Sequence, residues 1–143
     1  MTLQSDRKSH VGLKVAVIDS SPLFRVGVAQ ALLGHDPRVR VVEGGTASDA
    51  LRIAAVSDID IMFLDPALAP TGTQILSDLC GRSPSLVVVV LAASEHEEDV
   101  SKALRLGARG YVLKHAPVRE LLDAVAAVQR GDRFLSSALG ARV

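Results

Sequence analysis

The sequence predicts an α/β protein built on one parallel sheet of five strands, with helices on both faces. Three observations carry this. Five short β-branched runs alternate with five helical patterns along the chain. Most of the runs are continuously apolar, as in strands buried on both faces of a parallel sheet, where alternation with polar residues is lost. The stretches between them carry apolar residues on a 3.6-residue period, the stripe by which a helix packs on a sheet. Regular β–α alternation implies right-handed crossovers. The expected strand order is 2-1-3-4-5, the doubly wound, flavodoxin-like (βα)5 arrangement.

Taken in order, the first strand is expected at 13–18 and the first helix at 22–33. Phe24, Val28, Ala31 and Leu32 share one face of that helix, Ser20 and Ser21 are cap candidates, and Pro22 suits the first helical position. The second strand and helix fall at 39–42 and 48–56, the third pair at 59–64 and 72–80. The fourth strand, 86–91, leads to a helix at 95–106. Ser94 and Glu97 form the S-x-x-E capping pattern before it, and Gly107 is placed to end it. The fifth strand is expected at 110–113. Val118, Leu121, Leu122, Val125 and Ala126 form the clearest apolar stripe, until Arg130-Gly131-Asp132 breaks the helix. Residues 1–11 read as a flexible tail and 12–130 as one domain.

Composition narrows the function classes. The 143 residues include 16 Lys+Arg and 16 Asp+Glu, a formal net charge of zero. Such a chain has no long-range pull on phosphate backbones or anionic lipid, so nucleic-acid or membrane-surface binding by this chain alone is disfavoured. A mean hydropathy of +0.30 with 48% apolar residues is too hydrophobic for disorder. The single cysteine, Cys80, cannot form an internal disulfide, which suits a reducing cytoplasm. The first ten residues have no apolar core, and the apolar run 86–93 is far below the roughly 20 residues needed to cross a bilayer.

In a doubly wound sheet, a site belongs at the carboxyl ends of the strands. The first strand ends in Asp19-Ser20-Ser21-Pro22, the third in Asp65-Pro66, the fourth in Ala92-Ala93-Ser94 and the fifth in Lys114. Two carboxylates and a lysine therefore converge on one edge. They can serve as turn-starting residues neutralised by a lysine, or as a site that a divalent cation or an anion joins. Mg²⁺ takes one or two carboxylates plus waters and phosphate oxygens. His10, His35, His96 and His115 are scattered over termini and turns, without ligand spacing. Glu95, Glu97, Glu98 and Asp99 complement the N-terminus of the fourth helix. Cys80 reads as a small buried hydrophobe. A flavin site would need stacking aromatics, but Phe24 and Phe63 fit the core better.

The strings V-A-V-I-D-S-S-P-L-F-R, I-M-F-L-D-P and L-R-L-G-A-R-G-Y-V-L-K, with the later E-L-L-D-A-V, resemble the receiver domain of two-component response regulators of the NarL/FixJ subfamily. Members of that subfamily carry a C-terminal LuxR-type helix-turn-helix, and the closing G-D-R-F-L-S-S-A-L resembles the stretch that precedes the linker to it, which implies that residues 131–143 begin that linker. The resemblance implies that Asp65 is the phosphoacceptor, that Lys114 contacts the phosphoryl group and that Tyr111 is the aromatic switch. It makes Asp19 the first member of the acidic pair, so Asp19 and Asp65 would hold Mg²⁺. It also implies a histidine kinase as partner, DNA contact only through a helix-turn-helix beyond this sequence, and no enzymatic activity beyond self-phosphorylation and slow dephosphorylation at Asp65.

Several residues depart from the family pattern. Ser20 stands where the second acidic residue, a direct metal ligand, is expected. Ala92, judged by its spacing from Lys114, stands where a Thr or Ser hydroxyl is expected. Pro70 and Gly72 fall off the D-x-x-M-P register. With one carboxylate fewer, Mg²⁺ should bind weakly and phosphoryl transfer should slow. Without the hydroxyl, the pull on the end of the fourth strand is lost. The resulting expectation is an atypical receiver, dimerising and cytoplasmic, with weak or no dependence on phosphorylation. Leu23 and Val26 of the first helix and Leu106 of the fourth lie off their core faces, as candidates for the homodimer surface. The alternatives are a conventional receiver phosphorylated on Asp65 and a small-ligand or protein interaction module on the same fold.

Overall fold

The computed structural model describes residues 12–68 and 74–139. Among these, six parallel strands form one sheet: β1 (Lys14–Ile18), β2 (Arg40–Gly44), β3 (Ile61–Leu64), β4 (Val87–Ala92), β5 (Gly110–Leu113) and β6 (Phe134–Leu135). Five helices connect them: α1 (Pro22–His35), α2 (Ala47–Val56), α3 (Gln74–Arg82), α4 (Glu97–Arg105) and α5 (Val118–Gln129). The strand order is β2-β1-β3-β4-β5-β6. The expected 2-1-3-4-5 order therefore holds, and a short strand from the stretch expected to begin a linker is added beside β5. Among the described residues no helix is long and apolar enough to cross a membrane.

Alternation along the central strands sorts their side chains onto two apolar layers. Val15, Val17, Ile61, Phe63, Val89, Leu91 and Val112 pack with Val28 and Leu32 of α1 and with Leu121, Ala124 and Val128 of α5. On the opposite face Ala16, Ile18, Met62, Leu64, Val88, Val90, Ala92, Tyr111 and Leu113 pack with α2, α3 and α4, through residues such as Ile53, Leu79 and Val100. Each central strand is buried on both sides, which is why its sequence reads as a continuous apolar run.

Local signals account for most of the helix limits. Ser21 caps α1, its Oγ accepting the Phe24 N–H at 3.2 Å, with Pro22 in the first turn. Thr46 caps α2 in the same way, accepting the Asp49 N–H. Gly107 follows α4 at φ +116°, and an added Cβ there would lie 2.9 Å from both Cβ and Sγ of Cys80, so backbone and packing both demand glycine. Gly131 follows α5 at φ +88°.

Several expectations need correction. The Ser94–Glu97 cap does not form: α4 starts at Glu97 with His96 as its cap residue, while Ser94 Oγ donates to Asp99 Oδ2 at 2.6 Å and accepts the His96 N–H. The serine oxygen is engaged by an N–H two residues on, ahead of the helix, rather than by the third N–H that a cap would satisfy. The packed face of α5 is rotated from the expected stripe, because Ala124, Ala127 and Val128 are buried with Leu121 while Val118 is 61% exposed and Ala126 is exposed. Leu106 is half-buried against the core and is no free surface residue. The second strand begins one residue later than expected and runs on to Gly44, and the third begins two residues later, at Ile61. The expected tail, His10, Pro70, Gly72 and the start expected for the third helix lie outside the described residues.

Candidate functional site

Asp19, Asp65 and Lys114 each follow the last residue of a strand, and their backbone N–H groups continue the ladder. Asp19 N–H donates to Gly44 C=O, Asp65 N–H to Ile18 C=O and Lys114 N–H to Ala92 C=O, all within 3.0 Å. Ile18, Leu64 and Leu113 point toward α2–α4, so the next residue of each strand projects to the α1/α5 side. That common parity brings the three charged side chains together.

Lys114 Nζ lies 2.5 Å from Asp19 Oδ2 and 2.7 Å from Asp65 Oδ2. Both carboxylates are buried. The second oxygen of each is held by its own turn: Asp19 Oδ1 accepts the Ser21 N–H at 2.8 Å, and Asp65 Oδ1 accepts the Ala67 N–H at 2.9 Å. The Lys114 contact with Asp65 is a directed hydrogen bond. Its contact with Asp19 is a close ion pair without that geometry, which leaves Asp19 Oδ2 buried and without a hydrogen-bond donor. At this separation charge attraction decides the interaction, whatever the angle. Burial works against the Lys114 charge, but its close contacts with the Asp19 and Asp65 carboxylates outweigh it and hold the ammonium above the ordinary lysine pKa.

Two neighbours of this cluster were not foreseen from sequence. Arg25 donates from Nη1 to the Asp19 carbonyl at 2.5 Å and from Nε to Glu43 Oε1 at 3.1 Å, which ties the turn after β1 to β2. Its place on the first turn and a half of α1 was the only available signal. Phe24 presents its ring face to Lys114, with Nζ 4.6 Å from the centroid.

The expected switch residues lie on the other side of the sheet. Ala92 and Tyr111 belong to the α2–α4 layer, and Tyr111 is 1% exposed with its hydroxyl donating to the Ser94 carbonyl at 2.9 Å. Burial raises the Tyr111 phenol pKa, and the Asp99 carboxylate adds to it. A cavity of about 300 Å³ runs from Asp65 past Ala92 and Ser94 to Tyr111. Ser20, next to Asp19 in the chain, is exposed. His115 pairs with Glu95 at the surface, away from the carboxylates.

The donors fit Mg²⁺ in kind. Two buried carboxylates each turn one oxygen toward a common point, held by the Lys114 ammonium, and such an oxygen pair is suited to a cation. Among the described residues no third His, Cys, Asp or Glu joins them. Lys114 stands on the side that both oxygens face, so an entering cation competes with its ammonium.

A doubly wound sheet with paired carboxylates and a lysine gathered at its carboxyl edge defines a class of signal-receiving domains. The signature of the response regulator receiver domain matches residues 15–126, and the chain belongs to that family. It is similar to the nitrate/nitrite response regulator protein NarL of Escherichia coli (strain K12), 36% identical over 127 residues that make up 87% of this chain and 58% of the relative. The chain thus spans little more than half the length of that protein. A LuxR family DNA-binding response regulator from Silicibacter pomeroyi superposes with a TM-score of 0.77 at 29% identity, over 90% of this chain and 99% of that one. The isolated REC domain of RcsB from Salmonella enterica serovar Typhimurium, solved with the phosphomimetic BeF3-, shares the fold with a TM-score of 0.83 at 23% identity, over 90% and 96% of the two chains.

Proposed function

We propose that this receiver domain is atypical: it serves a cytoplasmic NarL-type transcriptional regulator as a dimerising module with little dependence on phosphorylation. One observation carries the reading. Asp65 and Lys114 keep their ion pair, while Ser20 brings no carboxylate beside Asp19 and Ala92 no hydroxyl to the cavity. Tyr111 is packed inward by a hydrogen bond to Ser94 that involves neither Asp65 nor Lys114. A ligand moves a switch only as far as it binds the two states differently, and these substitutions remove the hydroxyl and one charge that would supply the difference.

The conventional alternative uses the same residues. An Asp65 oxygen attacks the phosphorus of a kinase phosphohistidine, the P–N bond breaks, and the imidazole leaves and takes up a proton. In that chemistry Asp19 and Asp65 would hold Mg²⁺, which supplies charge neutralisation when bound, and Lys114 would steady a phosphoryl oxygen. The expected result on titrating the domain with beryllofluoride and Mg²⁺, followed by NMR, is little adduct at Asp65. A stable adduct at sub-millimolar Mg²⁺ would establish the conventional receiver in its place.

The dimer is assigned to α1 and α5. A groove of about 490 Å³ between them is lined by Phe24, Val28, Leu91, Val112 and Leu121, and its rim carries Leu23, 83% exposed, and Val118, 61% exposed. An apolar surface rimmed in this way is suited to a second copy of the chain, which would bring two DNA-binding domains onto symmetric half-sites. Leu23→Glu and Val118→Glu should each convert a dimer to monomer in sedimentation at micromolar concentration. A dimer indifferent to both charges would place the interface elsewhere.

A further inference from the structure

We infer that Lys114 and Phe24 link the carboxylate pair directly to the α1/α5 groove, so that the charge carried at Asp65 sets the form of the groove floor. The inference deepens the reading above and rests on its α1/α5 groove alone: it concerns how that groove responds to the charge at Asp65, whatever changes that charge, and does not require the domain to be phosphorylated.

Lys114 belongs to both places. Its ammonium is divided between Asp19 Oδ2, Asp65 Oδ2 and the ring face of Phe24. Its side chain, with Phe24, also lines the apolar groove, next to Val118 and Leu121. The three charged residues project toward α1 and α5 because of strand parity, whereas Ala92 and Tyr111 face α2–α4. Events at the carboxylates therefore reach the α1/α5 face without passing through the Ala92–Tyr111 side.

The energetics favour movement of the lysine over movement of the acids. Each carboxylate is anchored through its other oxygen to a backbone N–H of its own turn, and the Asp19 turn is further pinned by Arg25. The lysine sits on a flexible four-carbon stem. When the charge at Asp65 changes, the ammonium re-centres and its position over the Phe24 ring changes with it. A cation–π contact depends on the cation lying over the ring face, so the ring responds. Phe24 is on this account a positioning residue.

The test reads the groove itself. Val118 and Leu121 methyl signals are recorded in ¹³C-methyl-labelled protein, with and without Asp65→Asn, in the wild-type background and in Phe24→Leu. Leucine keeps an apolar side chain at the floor but removes the ring face. The expected result is that Asp65→Asn shifts both methyl signals in the wild-type background, and that the shifts vanish in Phe24→Leu. Shifts of equal size in both backgrounds, or none in the wild type, would overturn the link. Because no phosphoryl donor is used, the beryllofluoride result and this comparison can fail separately. A Phe24→Tyr protein, which restores a ring face, should recover the response and separates the link from general loosening of α1.

Discussion

Lys114→Met is expected to lower the unfolding free energy at neutral pH by about 2–3 kcal/mol, read from urea denaturation. Removing one partner of a buried ion pair leaves the other charge uncompensated, at roughly 3–5 kcal/mol. Here two buried carboxylates are stranded together, but the lysine side chain is 23% exposed and solvent screens part of the loss. The pH dependence has a definite sign. The folded-state pKa of Lys114 is raised above its ordinary 10.5, so its contribution is fully present below that value and is lost as pH rises through the raised one. The gap between wild type and variant should therefore hold from neutral pH up to the ordinary lysine range and close beyond it. Mg²⁺ should stabilise the variant more than the wild type, since the two Oδ2 atoms no longer face an ammonium. A variant as stable as wild type would mean that the pair contributes no net stability.

Ser20→Asp should raise Mg²⁺ affinity by about tenfold or more, equivalent to roughly 1.4 kcal/mol, and should lower stability without metal by about 1–2 kcal/mol. A third carboxylate beside two buried ones adds repulsion that only a cation relieves. The exposure of Ser20 limits the size of the effect, because water screens an exposed charge. Calorimetric Mg²⁺ titration and metal-free melting read the two halves separately. If neither changes, the side chain at position 20 does not reach the pair, and its match to the acidic position is wrong.

How far the sequence could be read depended on how directly each feature follows from spacing. The buried strands were legible because burial on both faces forces continuous apolar runs, and their ends then put Asp19, Asp65 and Lys114 on one edge. Their meeting also needed matching parity in three strands, which β-alternation supplies. Features that depend on side-chain rotamers were hidden. Phe24 read as core, although its ring serves Lys114 as well, and Arg25 left no trace of its bond to the Asp19 carbonyl. The α5 stripe runs through Val118 and Ala126 when it is anchored on Val118, whereas the helix is turned so that Ala124 and Ala127 meet the sheet, and three alanines so close in sequence leave that rotation unmarked. Ser94 and Glu97 had the spacing of a cap, but the Ser94 oxygen accepts the His96 N–H instead, and its hydroxyl proton goes to Asp99. Two residues, Phe134 and Leu135, are too short a run to show a strand period.

That two-residue strand governs how the chain behaves when it is shortened. Phe134 N–H donates to the Arg109 carbonyl and Ser136 N–H to the Tyr111 carbonyl, while Ser136 Oγ accepts the Leu113 N–H at 2.9 Å inside the protein. Glu120 of α5 fastens the following turn, accepting the Ser137 hydroxyl at 2.6 Å. A chain cut after Arg130 loses all of these at once and bares the flank of β5, a row of unpaired amides that templates strand pairing with another molecule. Such a fragment would gather into aggregates through raw sheet edges, and its apparent stickiness would say nothing about the α1/α5 surface proposed for the dimer.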